Sequence, residues 1–219
     1  MIPLQTELNI NRKSQIGNRK LRRLPRSFYL RSTTKVAREL LGKYLVRRIG
    51  AQQLIAQIVE TEAYSQNDPA SHSFRGLTKR NEVMFSKGGH LYVYFTYGMH
   101  FCANVVTGRE GKGEAVLLRA VEPIKGIDLM SRNRMRPGLK TKRVKEFGRN
   151  LTNGPAKICE ALKIGRKENG VDLLGDEIYL LDAPRIRPSA TATSTRIGIR
   201  VGETIMWRFF IKGNEWVSR

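Results

Sequence analysis

The chain has 219 residues, 40% of them hydrophobic, which suits one sizeable core and excludes a mostly disordered chain. No apolar run approaches the roughly 20 residues of a membrane helix, and no apolar stretch follows the basic N-terminus as in a signal peptide, so an intracellular protein is expected. Forty Lys and Arg against 19 Asp and Glu leave a formal net charge of +21, a balance that favours nucleic acid as partner over a membrane surface, because each neutralised phosphate releases condensed counterions.

Residues 1–26 are polar and carry Arg12, Lys13, Arg19, Lys20, Arg22, Arg23 and Arg26; they read as a mobile basic arm ahead of a domain covering 27–219. Ser32 or Thr33 can cap a helix whose apolar stripe is Val36, Leu40 and Leu41, with Gly42 ending it. Tyr44 to Arg48 and Leu54 to Tyr64 follow as two strands around the Gly50 turn. In the second, period two puts Ile58, Glu60, Glu62 and Tyr64 on one face and Val59, Thr61 and Ala63 on the other. Ser65 to Lys87 lacks periodicity and reads as a long functional loop. Leu91 to Phe95 and Met99 to Val106 flank Thr96-Tyr97-Gly98 as a hairpin, and Ala115 to Val121 is another strand. A helix is expected from Gly126 to Met135, broken at Pro137-Gly138, and a second from Gly154-Pro155 through Ile158, Leu162 and Ile164. Glu177 to Asp182, Arg196 to Val201 and Trp207 to Ile211 read as late strands. With strands dominant and no βαβ alternation, the expected class is α+β, a single domain on a mixed or antiparallel sheet.

Two acids inside a hydrophobic strand of so basic a chain stand out, because buried carboxylates are costly unless paired or useful. One use is a general base that deprotonates water at a sugar C1′; the other reading is an acid paired with Arg on the sheet. Arg119, in the run Val116-Leu117-Leu118-Arg119-Ala120, needs an anion, for which Glu62 and a DNA phosphate both qualify. Tyr92 and Tyr94 share a face, and exposed aromatics beside basic residues suit base stacking, while the same residues also suit a sheet core. His72 and Asn104 alone are weak signals, more often structural than catalytic. Cys102 and Cys159 lie in no metal-ligand spacing and read as buried free thiols, so no zinc or iron-sulfur site is expected.

The strings Ile58-Val59-Glu60-Thr61-Glu62-Ala63-Tyr64, Leu91-Tyr92-Val93-Tyr94, Tyr97-Gly98-Met99 and Val116-Leu117-Leu118-Arg119-Ala120-Val121-Glu122-Pro123 resemble those of the alkyladenine (3-methyladenine) DNA glycosylases. Gly154-Pro155-Ala156-Lys157 and Trp216-Val217-Ser218 are similar too, in the same order from Phe28 onward. The resemblance implies a curved sheet with surrounding helices and a protruding β-hairpin. It makes Glu62 the general base, with Arg119 and the backbone carbonyl of Ile197 holding the water, and Glu60 a structural acid. The flipped base would stack between Tyr64 and His72 on one side and Tyr94 on the other, with Asn104 disfavouring guanine. Tyr97, beside Met99 at the hairpin tip, would intercalate through the minor groove, and Arg134 and Lys157 would contact the DNA backbone.

The activity so implied is a monofunctional one acting as a monomer on duplex DNA: hydrolysis of the N-glycosidic bond of 3-methyladenine and related purines, without strand cleavage, since no Lys occupies a matched pocket position. The Gly-Val-Gly hairpin and four cysteines of the helix-hairpin-helix glycosylases are absent from the sequence. A noncatalytic RNA- or DNA-binding protein would account equally for the charge and the aromatics, though not for Glu62 and Arg119 together.

Overall fold

A computed structural model describes residues 21–135 and 147–218. Its frame is one eight-stranded sheet, antiparallel throughout. The strands are β1 (Tyr44–Ile49), β2 (Gln52–Tyr64), β3 (Leu91–Thr96), β4 (His100–Val106), β5 (Ala115–Lys125), β6 (Ile178–Leu181), β7 (Thr191–Ser194) and β8 (Arg208–Ile211). The helices are α1 (Arg26–Tyr29), α2 (Thr33–Leu40), α3 (Ile127–Arg134) and α4 (Pro155–Leu162). The α+β class with a curled antiparallel sheet is therefore as the sequence suggested.

β2 organises the sheet because its 13 residues serve three neighbours. One edge pairs with β5 along nearly its whole length. The other is divided, its first half against β1 and Glu60 to Glu62 against β8. Between the two halves the register with β5 shifts, so that Val59 has no partner there and, one step on, neither has Arg119. A bulge adds a residue and resets the alternation. That corrects the expected face: Ile58 and Val59 both join the main core, while the Glu60, Glu62, Tyr64 series begins only after the bulge.

The core lies between the sheet and its helices. α2 buries Val36, Ala37 and Leu40 against β2, each fully buried aliphatic side chain contributing about 1.5–3 kcal/mol. Thr61 Oγ1 also donates to Ala37 O at 2.9 Å, fixing that helix on the strand. Ser32 stands at the expected N-cap but makes no side-chain capping bond, and Gly42 follows the helix with φ +84°. α4 packs on β4 and β5, and α3 packs on α4 and β2.

Three expectations change. Arg196 to Val201 form no strand; β7 lies earlier, at Thr191–Ser194. Gly198 and Gly202 adopt φ +75° and +67°, left-handed conformations that break an extended ladder. The described end of the basic arm, residues 21–26, is attached to the domain: Leu24 is buried and its N–H donates to Leu180 O at 2.9 Å, Arg23 pairs with Asp176, and Arg26 pairs with Asp172 at 2.6 Å. Met99 belongs to the hairpin turn and not to β4. The break expected at Pro137-Gly138 and the arm before residue 21 lie outside the described residues.

Candidate active site

Sheet register assembles the site. Tyr92 on β3 lies opposite Asn104 on β4, Asn104 opposite Leu117 on β5, and Leu117 opposite Glu62 on β2. These four residues form one row across four strands, with Tyr94 opposite Cys102 and Tyr64 opposite Ala115 in neighbouring rows. Because side chains alternate along each strand, all of them project from one face. They line a cavity of about 650 Å³, closed by His72 from the loop after β2 and by residues 197–201 from the loop before β8.

Glu62 is fully buried and lines this cavity. Its Oε2 accepts from the Tyr64 hydroxyl at 2.8 Å and its Oε1 from the Ile197 N–H at 2.9 Å, with Arg119 Nε 3.4 Å from Oε1. Two hydrogen-bond donors and a guanidinium at ion-pair distance thus face its two oxygens, which act as acceptors. Burial, and next the neighbouring Glu62, push the Tyr64 phenol far above its ordinary range, so it stays a donor.

Arg119 settles the question of its anion. Its Nε is 3.3 Å from Glu60 Oε1 and 3.1 Å from Ser218 Oγ as well as near Glu62. Glu60, also fully buried, does not line the cavity. Its partners are Arg208 Nε at 2.6 Å, the Ser218 N–H at 2.7 Å and the Ser218 hydroxyl at 2.8 Å.

The aromatic wall differs from the expected arrangement. His72 stands with Tyr94 and not with Tyr64: the ring centroids are 4.4 Å apart and nearly perpendicular, and His72 Nδ1 is 3.0 Å from the Tyr92 hydroxyl. His72 is exposed as a whole residue, yet its ring is walled by these neighbours. That burial, and then the charge of Arg80, lower its pKa to about 4, so the imidazole is neutral at pH 7. Burial raises Tyr92 to about 12 and holds the Tyr94 hydroxyl and the Cys102 thiol protonated. Asn104 is buried, with Nδ2 donating to Tyr92 O at 3.2 Å. These five side chains thus carry no charge, while Arg75, Arg119 and Arg200 line the cavity elsewhere.

At the hairpin tip Tyr97 is 84% exposed and Met99 69%, beside the cavity mouth that Tyr97 helps to line. Tyr97 and Gly98 have φ +50° and +69°, and Met99 N–H closes the turn on Thr96 O. A bulky side chain in that strained region is worth noting, since the turn holds the ring outward at some conformational cost.

Arg134 is not brought to this face. Its guanidinium is committed inside the fold, to Glu160 Oε2 at 3.0 Å, Leu151 O at 3.1 Å and Asn150 O, where it ties α3 to α4. Lys157, in the first turn of α4, reaches Asn153 Oδ1 at 2.7 Å, and burial followed by the charge of Arg134 lowers its pKa. Cys102 and Cys159 are free and buried. Among the described residues no cluster of His, Cys, Asp or Glu forms a metal site, and no helix is long and apolar enough to cross a membrane.

Sequence reasoning missed Asp68 and the role of Arg196, whose pairing spans 128 residues and leaves no local signal. Cys102 was read only as a thiol; its place opposite Tyr94 follows once the hairpin register is known.

A buried carboxylate held by Arg119, Tyr64 and a backbone amide thus stands at the edge of an aromatic cavity. Residues 27–215 match the family model for methylpurine-DNA glycosylase. The chain is 51% identical over 197 residues to a protein of Carboxydothermus hydrogenoformans named "Putative 3-methyladenine DNA glycosylase", covering 90% of this chain and 98% of that one. Proteins of the same name from Methanoculleus marisnigri and Clostridium acetobutylicum are each 44% identical, covering 90% of this chain and 98% and 97% of theirs. The chain belongs to the methylpurine-DNA glycosylase family, a family of DNA-repair hydrolases.

Proposed function

We propose that the protein removes alkylated purines, 3-methyladenine first, from duplex DNA by extruding the nucleotide into the cavity and hydrolysing its N-glycosidic bond. The carrying observation is the position of Glu62, buried, held by two hydrogen-bond donors and the Arg119 ion pair, and open to an aromatic cavity. Two carboxylate oxygens offer about four acceptor sites. Tyr64 and Ile197 take two, Arg119 stands at ion-pair distance, and a free acceptor position receives the water that attacks C1′. The carbonyl of Ile197 is assigned the other contact to that water. As the bond to the base lengthens, the sugar gains oxocarbenium character and Glu62 serves both as base and as the nearby negative charge.

The base lies between Tyr64 and the His72–Tyr94 pair, each stacking contact contributing about 1–3 kcal/mol against a flipping cost of a few kcal/mol. Electron-rich rings favour a cationic alkylpurine. A neutral His72 does not repel it. Tyr97, with Met99, occupies the space the nucleotide leaves, and Lys157 meets the DNA backbone. Asn104 crowds the exocyclic amine of guanine. 7-Methylguanine, hypoxanthine and ethenoadenine are the further substrates proposed; the neutral ones need help at the leaving group that alkylated bases do not. Water as nucleophile makes the enzyme monofunctional, acting as a monomer without a cofactor.

The test is base release from alkylated duplex DNA, followed chromatographically. Wild-type protein is expected to free 3-methyladenine, and Glu62→Gln to lose about 10²–10⁴-fold in rate while still binding the duplex. Undiminished release by Glu62→Gln rejects the assignment. Duplex binding without any release by the wild type favours the noncatalytic alternative.

A further inference from the structure

Behind Tyr64, on the side away from the cavity, lies an ion pair with no exposure at either side chain: Arg196 and Asp68. Arg196 Nη2 donates to Asp68 Oδ1 at 2.9 Å, and Nη1 reaches the other carboxylate oxygen. Nη1 also donates to Ala63 O at 3.0 Å, the carbonyl just before Tyr64. Nη2 lies 3.5 Å from Gly202 O, across the loop that Arg196 begins. The guanidinium carbon is 4.6 Å from the centre of the Tyr64 ring and 5.7 Å from that of Trp207. The next residue in the chain, Ile197, donates its N–H to Glu62 Oε1 at 2.9 Å.

One planar cation therefore touches the rear face of the stacking tyrosine, the backbone before it, the loop leading to His72, and both ends of the loop bearing the Glu62 donor. Asp68 extends the same order forward by accepting the Ala70 N–H at 3.0 Å, two residues before His72. Arg suits this place and Lys does not. A rigid fork bonds two carboxylate oxygens and a carbonyl while lying flat on a ring; an ammonium is a point charge without a face. Asp68 neutralises the guanidinium, so the backing stiffens Tyr64 without placing a net positive charge behind a surface that takes a cationic base.

A buried ion pair contributes little to stability after desolvation, and removing one member leaves the other uncompensated. Retaining one here has a geometric rationale, and it rests on the glycosylase reading above. We propose that Arg196 is a positioning residue for base excision, fixing the Tyr64 ring and the Ile197 amide together so that the stacked base and Glu62 keep one mutual geometry. Misplacement of such parts by about 1 Å can cost on the order of 10²-fold in rate.

The experiment measures single-turnover release from alkylated duplex, affinity for a duplex holding an abasic-site analogue, and Tm, for wild type, Arg196→Lys, Asp68→Asn and Tyr64→Ala with and without Arg196→Lys. Arg196→Lys is expected to slow excision by about 10- to 100-fold, with affinity for the abasic duplex, which has no base to stack, kept within about threefold. Asp68→Asn, nearly isosteric, is expected to lose less. In the Tyr64→Ala background the Arg196→Lys loss should shrink well below its single-variant value, because residues that act through one another are not additive. Wild-type excision with an unchanged rate in Arg196→Lys, or a fully additive double variant, overturns the inference and leaves the glycosylase reading intact. Should Arg196→Lys not fold, Asp68→Asn excising at the wild-type rate overturns it as well. A wild type that releases no base overturns that reading and this inference with it.

Discussion

Glu60 and Glu62 are two residues apart on one strand, equally buried, and share Arg119, yet their surroundings divide them. Glu60 faces Arg208, Arg119 and the Ser218 end of the chain, and its oxygens are occupied by protein donors. Glu62 faces a cavity whose aromatic side is uncharged, and among the described residues only two hydrogen-bond donors reach its oxygens. The lesson is that a carboxylate on a strand is read from what closes around it. Period two placed both acids on one face, and Arg208 and Ser218, which close on Glu60, leave Glu62 as the one that lines the cavity.

The contrast breaks most visibly if the two acids are exchanged in their effects. Glu62→Gln carries the largest expected loss, in rate. Glu60→Gln should lose stability instead, because Gln keeps one acceptor oxygen but no charge, leaving Arg208 and Arg119 without their shared buried anion and an amide donor where one of Glu60's oxygens accepted. Removing one partner of a buried ion pair costs about 3–5 kcal/mol. In a chain this long that is a fall in Tm of roughly 6–20 °C. Calorimetry on both variants, with base release measured well below Tm, checks the division. A Glu60→Gln protein that melts like the wild type but fails to release base would mean that Glu60, not Glu62, is nearer the chemistry.

Much of this was legible in the sequence, and the failures have physical causes. The carboxylate strand, the aromatic hairpin and the flanking helices follow from periodicity, caps and turn glycines. The bulge at Val59 did not, since an extra residue leaves no compositional mark and only pairing with β5 reveals it. Residues 196–201 looked like a strand because Ile197, Ile199 and Val201 alternate. The alternation is present, but these residues line the cavity, and the Ile197 amide that a strand would use in a ladder is turned to Glu62. The resemblance grouped His72 with Tyr64; its contact with Tyr94 depends on how the loop folds back over β3, and loop residues carry no register from which to read it. The resemblance assigned Arg134 a DNA-backbone contact, and its partners Glu160 and Leu151 are tertiary, so no local signal announced them.

Tyr64→Phe sharpens the comparison at a smaller scale. It deletes the donor to Glu62 Oε2 and keeps the ring that stacks and that Arg196 backs. Loss of one hydrogen bond to a charged group, about 1.5–3 kcal/mol, predicts roughly a 10- to 100-fold slower release at unchanged duplex affinity. A loss larger than that of Glu62→Gln would transfer the proton-handling role to the phenol.

The smallest effect concerns the neutrality of the wall. His72 has its pKa lowered to about 4, by burial first and by Arg80 second, from an ordinary value of 6.5. Between those values the unfolded chain binds a proton that the folded one does not. The His72 contribution to stability is therefore fully present above pH 6.5 and is lost as pH falls through 4. Many carboxylates also titrate in that window, so the useful quantity is the Tm difference between wild type and His72→Gln, expected to be flat from pH 8 to 6.5 and to move in favour of the variant below it. The ring protons in an NMR titration should have a midpoint near 4. A midpoint at or above 6.5 would put a partly charged imidazole beside Tyr94 near neutral pH, where it would repel a cationic base, and the aromatic side of the cavity that Glu62 faces would no longer be uncharged.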